Sequence, residues 1–125
     1  MESALKYVLS LGVPPSKVSL GIPAYSDWWF PSYDARSGAR ASGRDISYTD
    51  GMAILTKNGV RAIWDDVQKT QYAMFAVNGV NQFVFLEDAR AFTAKLGLVS
   101  KYKLRGYSVW VLGMEDPQTW SAIAR

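Results

Sequence analysis

A chain of 125 residues, 49% of them apolar, is long enough for one domain with a real core. It contains no Cys and no His, which removes disulfides, thiol nucleophiles, Ser-His triads and thiolate or imidazole metal sites, so no metal or other cofactor is expected. The net charge of +3 comes from scattered Lys and Arg, which argues against nucleic acid as a partner, and no apolar run is long enough to argue for a membrane.

Residues 3–11 carry Leu5, Val8 and Leu9 at helical spacing. Lys6 breaks this stretch and Gly12 with Pro14-Pro15 ends it, so it does not read as a leader peptide. In residues 17–24, Val18, Leu20 and Ile22 alternate with Ser19 and Gly21 as in a strand. Helix, Pro turn and strand make one step of an α/β fold. From Tyr25 to Arg44 the periodicity stops. Tyr25, Trp28, Trp29, Phe30 and Tyr33 crowd together with Pro23 and Pro31, and Ser, Gly and Arg follow. The stretch reads as a loop too long for a plain connection. Its aromatics are either a stacking platform for a sugar or another flat ligand, or a lid on the end of a sheet.

Ser47 and Asp50 form a capping pair for a short helix with Met52, Ile54 and Leu55, ended by Asn58-Gly59. Residues 61–65 read as a strand with Ala62 and either Ile63 or Trp64 inward. Residues 72–77 and 80–86 flank Asn78-Gly79, the strongest hairpin signal in the chain. Residues 47–86 therefore read as a small α+β unit with antiparallel strands, inserted between two pieces that read as parallel α/β.

The stretch 80–117 reads as strand, helix, strand. Asp88 is an N-cap candidate, and Ala89, Phe92, Leu96 and Val99 recur at helical spacing. Residues 106–112 form a second apolar run, closed by Gly113 and Glu115-Asp116-Pro117. Both runs end in acidic pairs, Glu87-Asp88 and Glu115-Asp116. A strand-to-helix handover is where α/β barrels put their chemistry, and a carboxylate there also caps the helix that follows. Residues 116–124 begin with Asp-Pro, an N-cap and first helical position, and Trp120 and Ile123 give this last helix an apolar side.

The order of KVSLGIPAYS, aromatic loop, inserted unit with RAIWDD, FVFLED, ARAFTAKLGLVSKY, and LRGYSVWVLG followed by EDP resembles the C-terminal end of glycoside hydrolase family 18. The resemblance covers residues 1–120 and points to the bacterial branch of spore-cortex N-acetylglucosaminidases and chitinase-like proteins. It implies an α/β chain holding the last two strands of a (β/α)8 TIM barrel, at residues 17–24 and 105–112. Residues 1–46 would hold a helix, the penultimate strand and the aromatic loop. Residues 47–86 would be the chitinase insertion domain, one wall of the substrate cleft, and residues 87–125 a helix, the last strand and a final helix.

Within the resemblance, Trp110 matches the ring that floors the N-acetylated sugar at the point of cleavage. Tyr25 matches the Tyr of a GIPxYG pattern, with Ser26 in place of Gly, and Trp28, Trp29 and Glu87 match residues of the cleft wall. The implied activity is retaining, substrate-assisted hydrolysis of β-1,4-linked N-acetylglucosamine polymers, chitin or peptidoglycan. An extracellular or cell-envelope location would follow the family. The family's acid, the Glu of DxxDxDxE, is not in this chain; Asp65-Asp66 lacks both the spacing and the terminal Glu. The chain is thus expected to be inactive alone, with two open sheet edges that need the N-terminal part of the barrel or a second copy. The alternative is a non-catalytic carbohydrate-binding or assembly module that stacks sugars on Trp28, Trp29, Trp110 and Tyr25. A third reading, an independent hydrolase with Glu87 or Glu115 as its acid, competes with a capping role available to each.

Overall fold

The computed structural model describes residues 1–30 and 42–123. Two sheets share the chain. Strand β1 (Ser19–Pro23) pairs in parallel with β7 (Gly106–Trp110), from Ser19 opposite Gly106 to Pro23 opposite Trp110. Between them in sequence stand five antiparallel strands in the order β3-β2-β6-β5-β4. These are β2 (Ser26–Phe30), β3 (Ser42–Ile46), β4 (Ile63–Asp65), β5 (Thr70–Val77) and β6 (Val80–Leu86). Helix α1 (Glu2–Ser10) precedes β1, α2 (Tyr48–Lys57) follows β3, α3 (Ala89–Lys101) joins β6 to β7, and α4 (Thr119–Ile123) closes the described chain.

The parallel pair follows from the sequence pattern. Leu20 and Ile22 project to one side of β1 and are buried against Phe92 of α3, with Leu96, Val99, Leu104 and Val109 around them. Arg105 donates its backbone N–H to the carbonyls of Pro15 and Val18, which fixes where β7 begins beside the Pro turn. Asp88 caps α3 by accepting from the Ala91 N–H at 2.7 Å, as its position predicted. Asp116 accepts from the Ala89 N–H at 3.0 Å, so the loop after β7 also holds the start of α3.

The second core lies between α2 and one face of the five-stranded sheet. Ala73 and Phe75 of β5, Val84 and Leu86 of β6, Ile46 and Leu55 interlock there. Alternate residues of each strand point away from it, as the two-residue period of a strand requires. The β5–β6 hairpin turns through Asn78 and Gly79, both at positive φ, in agreement with the Asn-Gly signal. Ser47 caps α2 through the Asp50 N–H, and Gly59 follows its end at φ +64°.

Three expectations change, and the choice between Ile63 and Trp64 is settled for Trp64. The stretch from Tyr25 to Arg44 is not all loop: its ends form β2 and β3, paired with each other, so the sheet takes in residues before position 47. Alternation concealed them. Both sides of β2 carry aromatics, and of β3 only Ile46 is buried. Ile63 points outward and is exposed while Ala62 and Trp64 are sheltered, because Ile63 lies opposite Tyr72 on the face away from the core. Strand β7 stops at Trp110, short of Leu112. Helix α4 starts at Thr119, and Trp120 is exposed rather than packed. Pro31, Tyr33, the Ser-, Gly- and Arg-rich run up to residue 41, and Ala124 lie outside the described residues.

Gly51 of α2 shows how closely helix and sheet approach. A Cβ there would lie 2.5 Å from Cδ2 of the buried Leu86, whereas a Cβ on Gly97 of α3 would meet nothing within 4 Å. Both glycines are helical, so Gly→Ala gains ~1 kcal/mol of propensity at each. At Gly51 overpacking opposes that gain with about 1–3 kcal/mol. Urea unfolding of Gly97→Ala is expected to show a higher midpoint than the parent, and Gly51→Ala a lower one.

Candidate functional site

Trp110 ends β7 and is 69% exposed. Its backbone is held although its ring is open: its carbonyl accepts from the Ala24 N–H at 2.6 Å, which extends the parallel ladder by one bond. The Trp110–Val111 peptide bond is cis. One residue past that ladder bond, half-buried Tyr25 turns the chain out of the parallel pair and into β2. Burial pushes its phenol upward, and the negative charges of Asp27, Asp45 and Glu87 add to the effect.

Trp28 and Trp29 do not share a wall. They are consecutive residues of β2, so their rings project from opposite faces of the sheet. Trp28 lies on the α2 side, where its Nε1–H donates to Gln82 Oε1 at 2.9 Å and the Arg44 guanidinium sits 4.8 Å over its ring. Trp29 lies on the other face and is 45% exposed. Both match cleft-wall residues within the resemblance, and the strand sets them on opposite faces of the sheet.

Glu87 is the last site candidate, and it is only 7% exposed. Its carboxylate oxygens accept from Lys95 Nζ at 2.6 and 2.5 Å, and its backbone N–H donates to the Ser26 hydroxyl oxygen at 3.0 Å. Burial pushes the Glu87 carboxyl up to about 7, against the downward pull of the Lys95 ammonium; Asp88 and Asp27 push the same way as burial. Burial likewise raises Asp27, helped by Asp45 directly across the β2–β3 ladder. The remaining acids of the two acidic pairs are also engaged. Asp88 caps α3 and also meets the Gln71 amide, and Asp116 accepts from Ala89 and Gln118. Glu115 accepts from the Gly113 N–H and from Trp120 Nε1–H at 2.9 Å, bonds that hold it below the usual carboxylate range.

Sequence reasoning missed Lys95, because a lysine in an amphipathic helix reads as a solvated residue until its neighbours are known. It also missed the acidic grouping of Asp27, Asp45 and Glu87 around Tyr25, which strand pairing creates from three distant positions. A cavity of about 720 Å3 runs along β1 between α1 and the antiparallel sheet, lined by Leu5, Leu20, Phe85, Asp27, Glu87 and Lys95 among others. Trp110 is not part of it, so the open Trp110 ring and this cavity are separate features.

The buried pair has a pH signature. Between pH 4.5 and about 7 the folded chain keeps a proton on Glu87 that the unfolded chain releases, so stability falls as pH rises through this window. Thermal melts at stepped pH are expected to show a flatter dependence there for Glu87→Gln than for the parent. Lys95→Met removes the ammonium's downward pull, so Glu87 is expected to stay protonated near neutral pH and the fall of stability with pH to extend further upward than in the parent.

A family model for the glycosyl hydrolases family 18 matches residues 1–115. The cortical fragment-lytic enzyme of Bacillus anthracis is 30% identical over 122 residues, which are 96% of this chain and 27% of that protein. The crystal structure of the spore cortex-lytic enzyme SleL of Bacillus megaterium QM B1551 aligns with a TM-score of 0.78 at 29% identity, covering 96% of this chain and 27% of that one. The chitinase of Chromobacterium violaceum ATCC 12472 aligns with a TM-score of 0.79 at 30% identity, covering 99% of this chain and 37% of that one. The chain thus spans 27% of the length of the curated relative from Bacillus anthracis. With its mixed α/β fold and a match over most of its length, the chain belongs to glycosyl hydrolase family 18.

Proposed function

We propose that this chain is the C-terminal part of a retaining, substrate-assisted glycosidase that acts on β-1,4-linked N-acetylglucosamine polymers. In this reading β1 and β7 are the last two strands of a (β/α)8 barrel, and the antiparallel sheet with α2 is its insertion domain. The observation that carries the reading is the parallel register that sets Pro23 beside Trp110, with the Trp110 ring open at the C-terminal end of its strand. That end of a parallel strand is where barrel enzymes place their chemistry.

Trp110 then floors the sugar whose bond is cut. Its flat apolar face packs the face of a pyranose, and its anchored backbone holds the ring fixed while the sugar distorts. Tyr25 borders that sugar, with its hydroxyl available as a donor because its proton is held more firmly than in free tyrosine. Glu87 supports this border from behind: the ion pair with Lys95 occupies both of its oxygens, and its N–H holds Ser26. The proton donor for the glycosidic oxygen comes from a DxxDxDxE motif, which this chain does not contain, so the chain alone cleaves nothing. The relatives named for lysis of cortical fragments favour peptidoglycan, and those named chitinases favour chitin, within one chemistry.

Titration with N-acetylglucosamine oligomers, followed by Trp fluorescence, is expected to show binding without turnover, with the parent's affinity reduced about tenfold in Trp110→Ala. Equal affinity in the variant would remove Trp110 from the site. Sedimentation is expected to show self-association through the free edges of β1 and β7; a monomer that unfolds cooperatively would defeat the open-barrel reading.

A further inference from the structure

The two sheets meet at a neck, where β1 runs into β2 and β6 into α3, and the bonds across it carry a charge state as well as a geometry. Glu87 sits in this neck, buried, and Lys95 of α3 donates to both of its carboxylate oxygens. The Lys95 ammonium also donates to the Lys69 carbonyl in the β4–β5 turn at 3.4 Å, so one side chain grips the antiparallel sheet twice. The Glu87 N–H in turn holds the hydroxyl of Ser26, the residue next to Tyr25. The ionisable groups facing the Glu87 carboxyl are Lys95 from α3, Asp27 from β2, Asp88 beside it in the chain, and the Tyr25 phenol. The cavity along β1 is lined by Glu87, Lys95 and Asp27, so a small parting of the sheets brings water to the carboxyl.

We infer that Glu87 and Lys95 form a proton-operated latch that regulates the sugar site. With a proton on Glu87 the neck stays closed and Ser26 holds Tyr25 at the border of the Trp110 ring. Without that proton the neck loosens and the site weakens. The direction follows from linkage between protonation and opening. In the closed neck burial holds the Glu87 carboxyl up at about 7, against the pull of Lys95; in a parted neck it is hydrated and returns to its ordinary 4.5. The closed form therefore keeps a proton that the open form releases. Each unit of pH across that window shifts the balance toward the open form by at most about tenfold. Tyr25 takes no part in the titration, because burial pushes its phenol upward, away from this window. Asp27 is the other neck carboxyl raised by burial, so the test must separate it from Glu87. The inference rests on the glycan-binding reading above and adds to it a control of the same site by pH.

The test is calorimetric titration of the whole chain with the N-acetylglucosamine trimer, an uncharged ligand, at steps from about pH 5 to about pH 8. The parent is expected to bind about fivefold or more tightly at the acid end than at the alkaline end. Glu87→Gln keeps the shape of the side chain and has no proton to lose, so it is expected to hold one affinity throughout. Lys95→Met is expected to extend the fall in affinity to higher pH, and Lys95→Arg to restore the parent's profile. An NMR titration of the Glu87 carboxyl carbon is expected to show a midpoint near 7. Circular dichroism at each pH confirms that every variant is folded. A parent affinity that does not change with pH, a fall that persists in folded Glu87→Gln, a fall that Asp27→Asn abolishes, or a Glu87 midpoint near 4.5 in the folded parent would each overturn the latch while the Trp110 reading stands. No binding of the trimer at any pH would overturn both.

Discussion

The antiparallel sheet joins the parallel pair at the neck where β1 runs into β2 and β6 into α3, and its placement rests on how that neck is tied. The Tyr48 N–H bond to the Met114 carbonyl and the Arg90 guanidinium over the Trp64 ring are further ties. The chain leaves β1 at Ala24 and returns to α3 at Asp88. Across this gap the buried Ser26 hydroxyl accepts from the Glu87 N–H, and the Glu87 carboxylate is locked to Lys95 of α3. The Thr70 hydroxyl donates to the Leu86 carbonyl at 2.9 Å, and Asp88 holds both the Gln71 side chain and the first turn of α3. Ser26, Glu87, Asp88 and Lys95 are buried, so breaking one of their bonds leaves an unsatisfied polar atom rather than a hydrated one, while Thr70 and Gln71 are half-buried. A neck tied this way has one low-energy arrangement, which turns two separately packed sheets into one body.

Ser26 illustrates the trade. A glycine at this position leaves the backbone free to turn but offers no side chain. Serine at 1% exposure keeps the turn and supplies the acceptor that the Glu87 N–H would otherwise lack. Lys95 is the costlier member: an ammonium and a carboxylate are both taken out of water, and their attraction does not fully offset the desolvation, since Glu87 still titrates near 7. The pair is therefore better understood as fixing orientation than as adding stability. Orientation matters because the open Trp110 ring sits at one end of the neck and Tyr25 lies within it.

Much of this was legible in the sequence wherever a local signal carried it. Alternation of Val18, Leu20 and Ile22 marked β1, Asn78-Gly79 marked the hairpin, and Asp88 and Ser47 marked the starts of α3 and α2. Strands β2 and β3 were hidden because their period-2 signal is erased, in β2 by aromatics on both faces and in β3 by an edge position with one buried residue. Trp28 and Trp29 looked equivalent because sequence shows neighbours and not faces. The partnership of Lys95 with Glu87 was out of reach, since eight residues and a helix start separate two charges that each have an ordinary exposed role.

The split between Trp28 and Trp29 bears on what kind of surface the insertion presents. A ring on the α2 side is committed to the fold: it donates to Gln82, carries Arg44 on one face and packs beside the helix core, so removing it unsettles the sheet. A ring on the opposite face, seated on glycine and bordered by Phe83, has one face with no such duty. Exposed apolar surface in a contiguous row is a liability for a free protein, through edge pairing and aggregation, unless a partner covers it. The Trp29 ring, seated on Gly43 beside Phe83, therefore leaves apolar area open on the face away from α2, whereas the α2 side uses its ring for packing.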